Sequence, residues 1–178
     1  RRLRGRESET ERPADGALVG QRLLAVLGGP GAGKTWLARR YARMCAQQAL
    51  AALEAGADLL SVEIPVYTTW DGWSKTNGGT RQAIVAASFA SGSGHSDLGG
   101  QEIQDRLTRT FTSERQPMLA VLDSLDEAAA DTAQSSRLGE LESIDRWRLV
   151  VTSRPSAWQT TTGGRDLAAW RVMTLLDL

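Results

Sequence analysis

The sequence predicts an α/β fold built on a parallel sheet. Three observations carry this. Short continuous apolar runs recur at 23–27, 118–122, 148–152 and 170–176, as buried parallel strands require. Segments of helical periodicity separate them. The first run leads into Gly28-Gly29-Pro30-Gly31-Ala32-Gly33-Lys34-Thr35, a phosphate-loop pattern whose setting is a strand, a glycine turn and a helix.

The elements follow in order. Residues 1–16 mix five Arg with four acidic residues and hold almost no apolar side chains, so a flexible lead-in or linker remnant is expected, with the ordered unit over 17–178. A first residue that is Arg rather than Met is expected of a piece cut from a longer protein. Leu23–Leu27 is a strand, and Thr35 to about Leu53 is a helix. Leu37, Tyr41, Met44 and Gln48 share one face of it, and Arg39, Arg40 and Arg43 fall mostly off that face. Gly56 stands where a helix C-terminal glycine belongs. Residues 60–68 alternate as a strand, with Pro65 directing it to an edge or a strand end. Residues 70–79 read as a loop, in which Trp70 and Trp73 either cap the core or stack on a base. Helices are expected at 80–90 and 101–113, around a Gly/Ser-rich stretch at 91–100 expected to be mobile. His95 lies there without a visible partner for metal or triad chemistry. Residues 128–145 form a polar, helical connection, and 159–164 form a Thr/Gly loop.

Composition narrows the function. The 178 residues suit one domain, and 21 basic against 21 acidic residues leave no net charge to draw the chain to nucleic acid or an anionic membrane. Cys45 is the single cysteine, so no intrachain disulfide can form; with one His there is also no Cys/His zinc site. No apolar run approaches the ~20 residues of a membrane span, and no signal peptide is visible, which makes the cytoplasm the expected compartment.

The phosphate loop states its chemistry most directly. Glycines let backbone N–H groups turn toward phosphate oxygens, and the helix that follows presents its positive end. Gly28, Gly29, Pro30, Gly31, Ala32, Gly33, Lys34, Thr35 and the adjoining Trp36 are the expected nucleotide-binding residues. Lys34 reaches the β- and γ-phosphates, and the Thr35 hydroxyl ligates Mg²⁺. Asp123 ends an apolar strand, where a second metal carboxylate belongs. Glu127 is the expected residue for orienting or deprotonating water, with Asp126 as helper or alternative. A helix N-terminal acidic pair is the structural reading of the same two residues. Arg154, just past a third apolar strand, either reads the γ-phosphate or satisfies a neighbouring carboxylate.

Together GGPGAGKT (28–35), LAVLDSLDE (119–127) and LVVTSRP (149–155) resemble the NACHT-type branch of the STAND signalling NTPases, regulatory relatives of AAA+ ATPases. IPV at 64–66 is similar to the family's second strand, and LLDL at 175–178 to its last, so the likeness spans about 20–178. Ser124 stands where an AAA+ motor more usually places Glu directly after the metal Asp. The resemblance implies a three-layer P-loop NTPase whose five parallel strands run in the order 5-1-4-3-2. It further implies an ATP/ADP switch that uses Mg²⁺, hydrolyses slowly, self-associates on binding ATP and acts with other domains of its parent. Family members continue into helical and winged-helix regions, the latter giving a His to bound ADP; His95 is not in that place.

The main alternative is a remodelling or motor ATPase of AAA+ type. It needs an arginine supplied across subunits, for which Arg146, Arg148 and Arg165 are candidates without distinction. A GTPase is disfavoured because no [NT]-K-x-D pattern occurs, and a small-molecule kinase because no Arg-rich lid does. Glu127 argues against a scaffold that binds nucleotide without hydrolysing it.

Overall fold

A computed structural model describes residues 2–5, 8–13, 18–91, 100–127, 132–163 and 167–176. The strands are β1 (Arg2–Gly5), β2 (Ser8–Pro13), β3 (Leu23–Leu27), β4 (Ile64–Thr69), β5 (Met118–Asp123), β6 (Trp147–Ser153) and β7 (Arg171–Leu175). The helices are α1 (Lys34–Glu54), α2 (Trp70–Ser74), α3 (Thr80–Ser91), α4 (Gly100–Phe111), α5 (Thr132–Glu142) and α6 (Pro155–Thr162). Short 3₁₀ turns lie at Leu59–Ser61 and Leu125–Glu127.

All seven strands form one sheet in the order β2-β1-β7-β3-β6-β5-β4. Its parallel part, β7-β3-β6-β5-β4, has the expected order 5-1-4-3-2. Helices cover both faces, giving a three-layer α/β fold of the P-loop NTPase kind. β3 and β5 are buried at every position, so both of their faces are covered, and a continuous apolar run satisfies both.

The strand alternation divides the core in two. Leu23, Ala25 and Leu27 join Trp70, Ile84, Leu138, Leu141 and Trp158 on one face, beneath α2, α3, α5 and α6. Leu24 and Val26 join Leu37, Ala38 and Tyr41 of α1 on the other. Gly56, at φ 88°, ends α1 with its N–H on Leu53 O, the left-handed stop that glycine adopts most readily. The inward stripe of α1 consists of Leu37, Ala38, Tyr41, Ala42 and Ala49; Gln48, expected on it, is exposed.

The structure departs from the sequence reading in four further places. Within 1–16, expected as a flexible lead-in, Arg2–Gly5 and Ser8–Pro13 pair as an antiparallel hairpin. β1 continues the sheet antiparallel to β7, with Leu3 opposite Leu175 and Gly5 opposite Met173. An open strand edge recruits backbone hydrogen bonds whatever the side chains are, which composition does not reveal. Residues 70–79 are not wholly loop: Thr69 Oγ1 accepts from Gly72 N–H at 3.0 Å and caps α2. Residues 159–162 continue α6, which starts on Pro155 and stops at Gly163 (φ 59°). The strand expected over 60–68 begins only at Ile64. It occupies the sheet edge, where Pro65 costs no ladder bond. The Gly/Ser stretch at 92–99, with His95, lies outside the described residues. Among the described residues no helix is long and apolar enough to cross a membrane.

Candidate functional site

The motifs meet at the carboxyl edge of the parallel strands. β6 lies between β3 and β5, with Leu27 in register with Ser153 and Leu122 with Val151. The phosphate loop therefore leaves one neighbour of β6, Asp123 leaves the other, and Arg154 leaves β6 itself. Gly28 N–H donates to Ser153 O at 3.1 Å and ties the start of the loop to the start of the Arg154 turn.

Glycine is required by the loop's geometry. Gly31 and Gly33 sit at φ 75° and 83°, a region that L side chains rarely adopt. A Cβ on Gly28 would come within 3.1 Å of Ala32 Cβ and 3.4 Å of both Leu175 Cβ and Lys34 Cγ. Lys34 Nζ donates to Gly28 O at 3.0 Å and Gly29 O at 3.1 Å, so it lies over the loop with two of its three donors on it. Gly33 caps α1 with no side-chain hydrogen bond, and the first turn carries no acidic residue. The positive end of a 21-residue helix is thus left without a local carboxylate. Thr35 and Trp36 are exposed on this turn, Trp36 with the Arg40 guanidinium 5.2 Å from its ring centroid.

Asp123 is only 1% exposed, and each of its carboxylate oxygens accepts a hydrogen bond. Oδ2 accepts from the Tyr67 hydroxyl at 2.9 Å, and Oδ1 accepts from the Thr152 hydroxyl. Thr152 Oγ1 in turn accepts from Ser124 N–H at 2.9 Å. Tyr67 Oη accepts from Arg39 Nε at 3.1 Å, and the Arg39 guanidinium lies 5.5 Å from the Tyr67 ring centroid. Burial, reinforced by the Asp123 charge, pushes the Tyr67 phenol above its ordinary range, so it remains a proton donor. The hydrogen bond to Tyr67 likewise raises Arg39.

After Asp123 the chain turns through Ser124 at φ 62°, a left-handed conformation that costs a non-glycine residue about 1–2 kcal/mol. The turn starts the 3₁₀ segment in which Glu127 N–H donates to Ser124 O at 3.1 Å. Asp126 and Glu127 consequently diverge. Asp126 is nearly buried and ion-paired to Arg154, Nε to Oδ2 at 2.7 Å, while its Oδ1 accepts from Arg154 N–H at 3.1 Å. Glu127 is exposed.

Of the arginines named as candidates for a cross-subunit role, two lie among the described residues. Arg148, near the start of β6, makes a two-pronged pair with Glu63, at 2.7 Å and 2.5 Å. Glu63 also holds its charge above the ordinary range. Arg146 is exposed just before β6, at the amino edge and away from the phosphate loop. Arg165 lies outside the described residues.

The donors that stand at the carboxyl edge fit a hard cation. A Thr hydroxyl and an Asp carboxylate are all-oxygen ligands. Among the described residues no group of three or more His, Cys, Asp or Glu converges. All-oxygen donors of this kind are the ones that Mg²⁺ takes. Tyr67, Arg39 and Thr152 are the members of this constellation that sequence reading missed. Tyr67 ranks there only as an alternating strand residue and Arg39 only as an outward helix residue.

No family model matches the chain, and no curated protein matches it. Among solved structures, the Aeropyrum pernix ORC2 protein, in ADPNP–ADP complexes, is similar at 16% identity and a TM-score of 0.42. The likeness covers 89% of this chain and 43% of that one, so this chain spans less than half of that protein's length.

Proposed function

We propose that this chain is the nucleotide-binding core of a regulatory ATPase of the NACHT type, a slow cytoplasmic switch within a larger protein. One observation supports it above the others. Three adjacent strands, β3, β6 and β5, deliver the phosphate loop, Arg154 and Asp123 to one edge of the sheet. In open parallel sheets, ligands bind outside that edge, where neighbouring connections diverge to opposite faces.

In this reading the N–H groups of residues 28–36 and the Lys34 ammonium hold the ATP phosphates. Thr35 and Asp123 hold Mg²⁺, which neutralises charge on the phosphate oxygens. Glu127, exposed and without the ion pair that engages Asp126, orients the attacking water and takes its proton. Arg154 reads the γ-phosphate, and Asp126 is its partner within the chain. ATP binding promotes self-association, and slow hydrolysis to ADP resets the switch.

Calorimetric titration with ATP tests the reading. Lys34→Ala is expected to weaken binding at least about thirtyfold, since a charge-assisted contact contributes roughly 2 kcal/mol. Equal affinities for the two proteins would overturn it.

A further inference from the structure

We infer that Tyr67, itself held by Arg39, is the positioning residue that aims Asp123 at its cation. The inference rests on the reading of Asp123 as a metal ligand and adds to it a residue from the sheet edge and one from the phosphate-loop helix.

The argument turns on which way each hydroxyl proton points. A hydroxyl is both donor and acceptor, and its proton rotates to suit its surroundings. At Asp123 that freedom is removed twice. Thr152 Oγ1 takes the Ser124 N–H on its acceptor side, so its proton is left for Asp123 Oδ1. Tyr67 Oη takes the Arg39 Nε–H at 3.1 Å on its acceptor side, so its proton is left for Asp123 Oδ2 at 2.9 Å. Both carboxylate oxygens are thereby oriented by protons of defined direction, and each oxygen keeps lone pairs for a cation.

The Thr152 contact comes from the neighbouring strand and closes through the backbone of the Asp123 turn. The Tyr67 contact comes from β4, the strand on the other side of β5, and spans a longer reach. Thr69 is the residue in register with Asp123, so Tyr67 reaches diagonally two positions along β4. Its ring is partly buried against the α1 side of the core, which sets the hydroxyl's reach. Arg39 stands one turn into α1 beyond Lys34 and Thr35. The chain Arg39–Tyr67–Asp123 thus connects the helix carrying one proposed cation ligand, Thr35, to the other, Asp123. A carboxylate that ligates a metal depends on such hydrogen bonds for its orientation, and removing one typically lowers metal affinity about tenfold or more.

The test compares ADP affinity with and without Mg²⁺, by calorimetry, for the parent chain, Tyr67→Phe and Asp123→Asn. Tyr67→Phe keeps the ring and removes the hydroxyl. The expected result is unchanged Mg²⁺-free affinity in Tyr67→Phe with roughly tenfold less tightening by Mg²⁺, while Asp123→Asn loses the tightening entirely. Full tightening in Tyr67→Phe, with none in Asp123→Asn, overturns the inference and leaves Asp123 as metal ligand. Full tightening in Asp123→Asn overturns both. An equal loss of affinity with and without Mg²⁺ in Tyr67→Phe makes the hydroxyl a support of the loop rather than of the cation, and also overturns it. Arg39→Gln, on an exposed helix face, gives a second reading that does not depend on Tyr67→Phe folding. Partial loss of tightening supports the chain of contacts, and full tightening removes Arg39 from it.

Discussion

Asp126 and Glu127 are adjacent in sequence and opposite in surroundings. Ser124 and the 3₁₀ turn after it rotate Asp126 inward onto Arg154, where one oxygen accepts from the side chain and the other from the backbone N–H. Glu127 is turned out to solvent. Both Asp126 oxygens are taken up by Arg154 while Glu127 faces solvent, which favours Glu127 for the water-activating role. Glu127→Gln is expected to leave ATP affinity within about twofold and slow turnover by about a hundredfold, the usual weight of a positioned general base. Single-turnover hydrolysis checks this; an unaltered rate would move the role away from Glu127. Asp126→Ala is expected to act differently, lowering stability by about 1–3 kcal/mol because the Arg154 N–H and guanidinium lose their acceptor.

At the scale of an element, α2 explains how the edge strand is held beside the site. Trp70 and Trp73 of this short helix are 0% and 4% exposed and meet edge to face at 4.9 Å. Trp70 Nε1 donates to Gln134 Oε1, and Arg137 stacks on Trp73 while donating to Ser74 O at 2.8 Å. Both tryptophans therefore belong to the core, which settles the choice between core and base-stacking in favour of the first. They brace the end of β4 against α5. Trp70→Ala should cost about 3–5 kcal/mol in urea unfolding, as large aromatic truncations in a packed core do. Trp70→Phe, which retains a ring and loses the Gln134 bond, should cost less. Equal stability of Trp70→Ala and the parent would show that α2 does not brace the fold.

Across the whole molecule, several protons are held more tightly folded than unfolded. Burial is the leading cause in each case: it pushes the Tyr41 and Tyr67 phenols and the Cys45 thiol above their ordinary values. Because the folded state binds these protons more strongly, their contribution to stability is fully present below the unfolded pKa values. It is lost as pH rises through the folded ones. Thermal unfolding followed from neutral to strongly alkaline pH should therefore show stability falling from about pH 9 upward, where thiols and then phenols titrate in the unfolded chain. A Tm that stays level through that range would contradict the burial of these three groups.

The parallel core was legible in the residues alone. Continuous apolar runs, helical spacing between them, and a glycine loop after the first are local signals, and together with a family resemblance they specified the strand order that the structure has. The sequence also named the residues that stand at the carboxyl edge, because a side chain that follows a buried parallel strand has only that edge to occupy. What those residues touch is set by how the elements pack. Tyr67 and Asp123 are 56 positions apart, and Arg39 and Tyr67 28 apart, so no periodicity links them. The pairing of Asp126 with Arg154, again 28 positions apart, depends on β5 and β6 lying side by side. The hairpin at β1 and β2 depends on the free edge of β7, a backbone property that side-chain composition does not record. Local patterns report burial and turn chemistry; contact across strands and helices is set by how those elements pack.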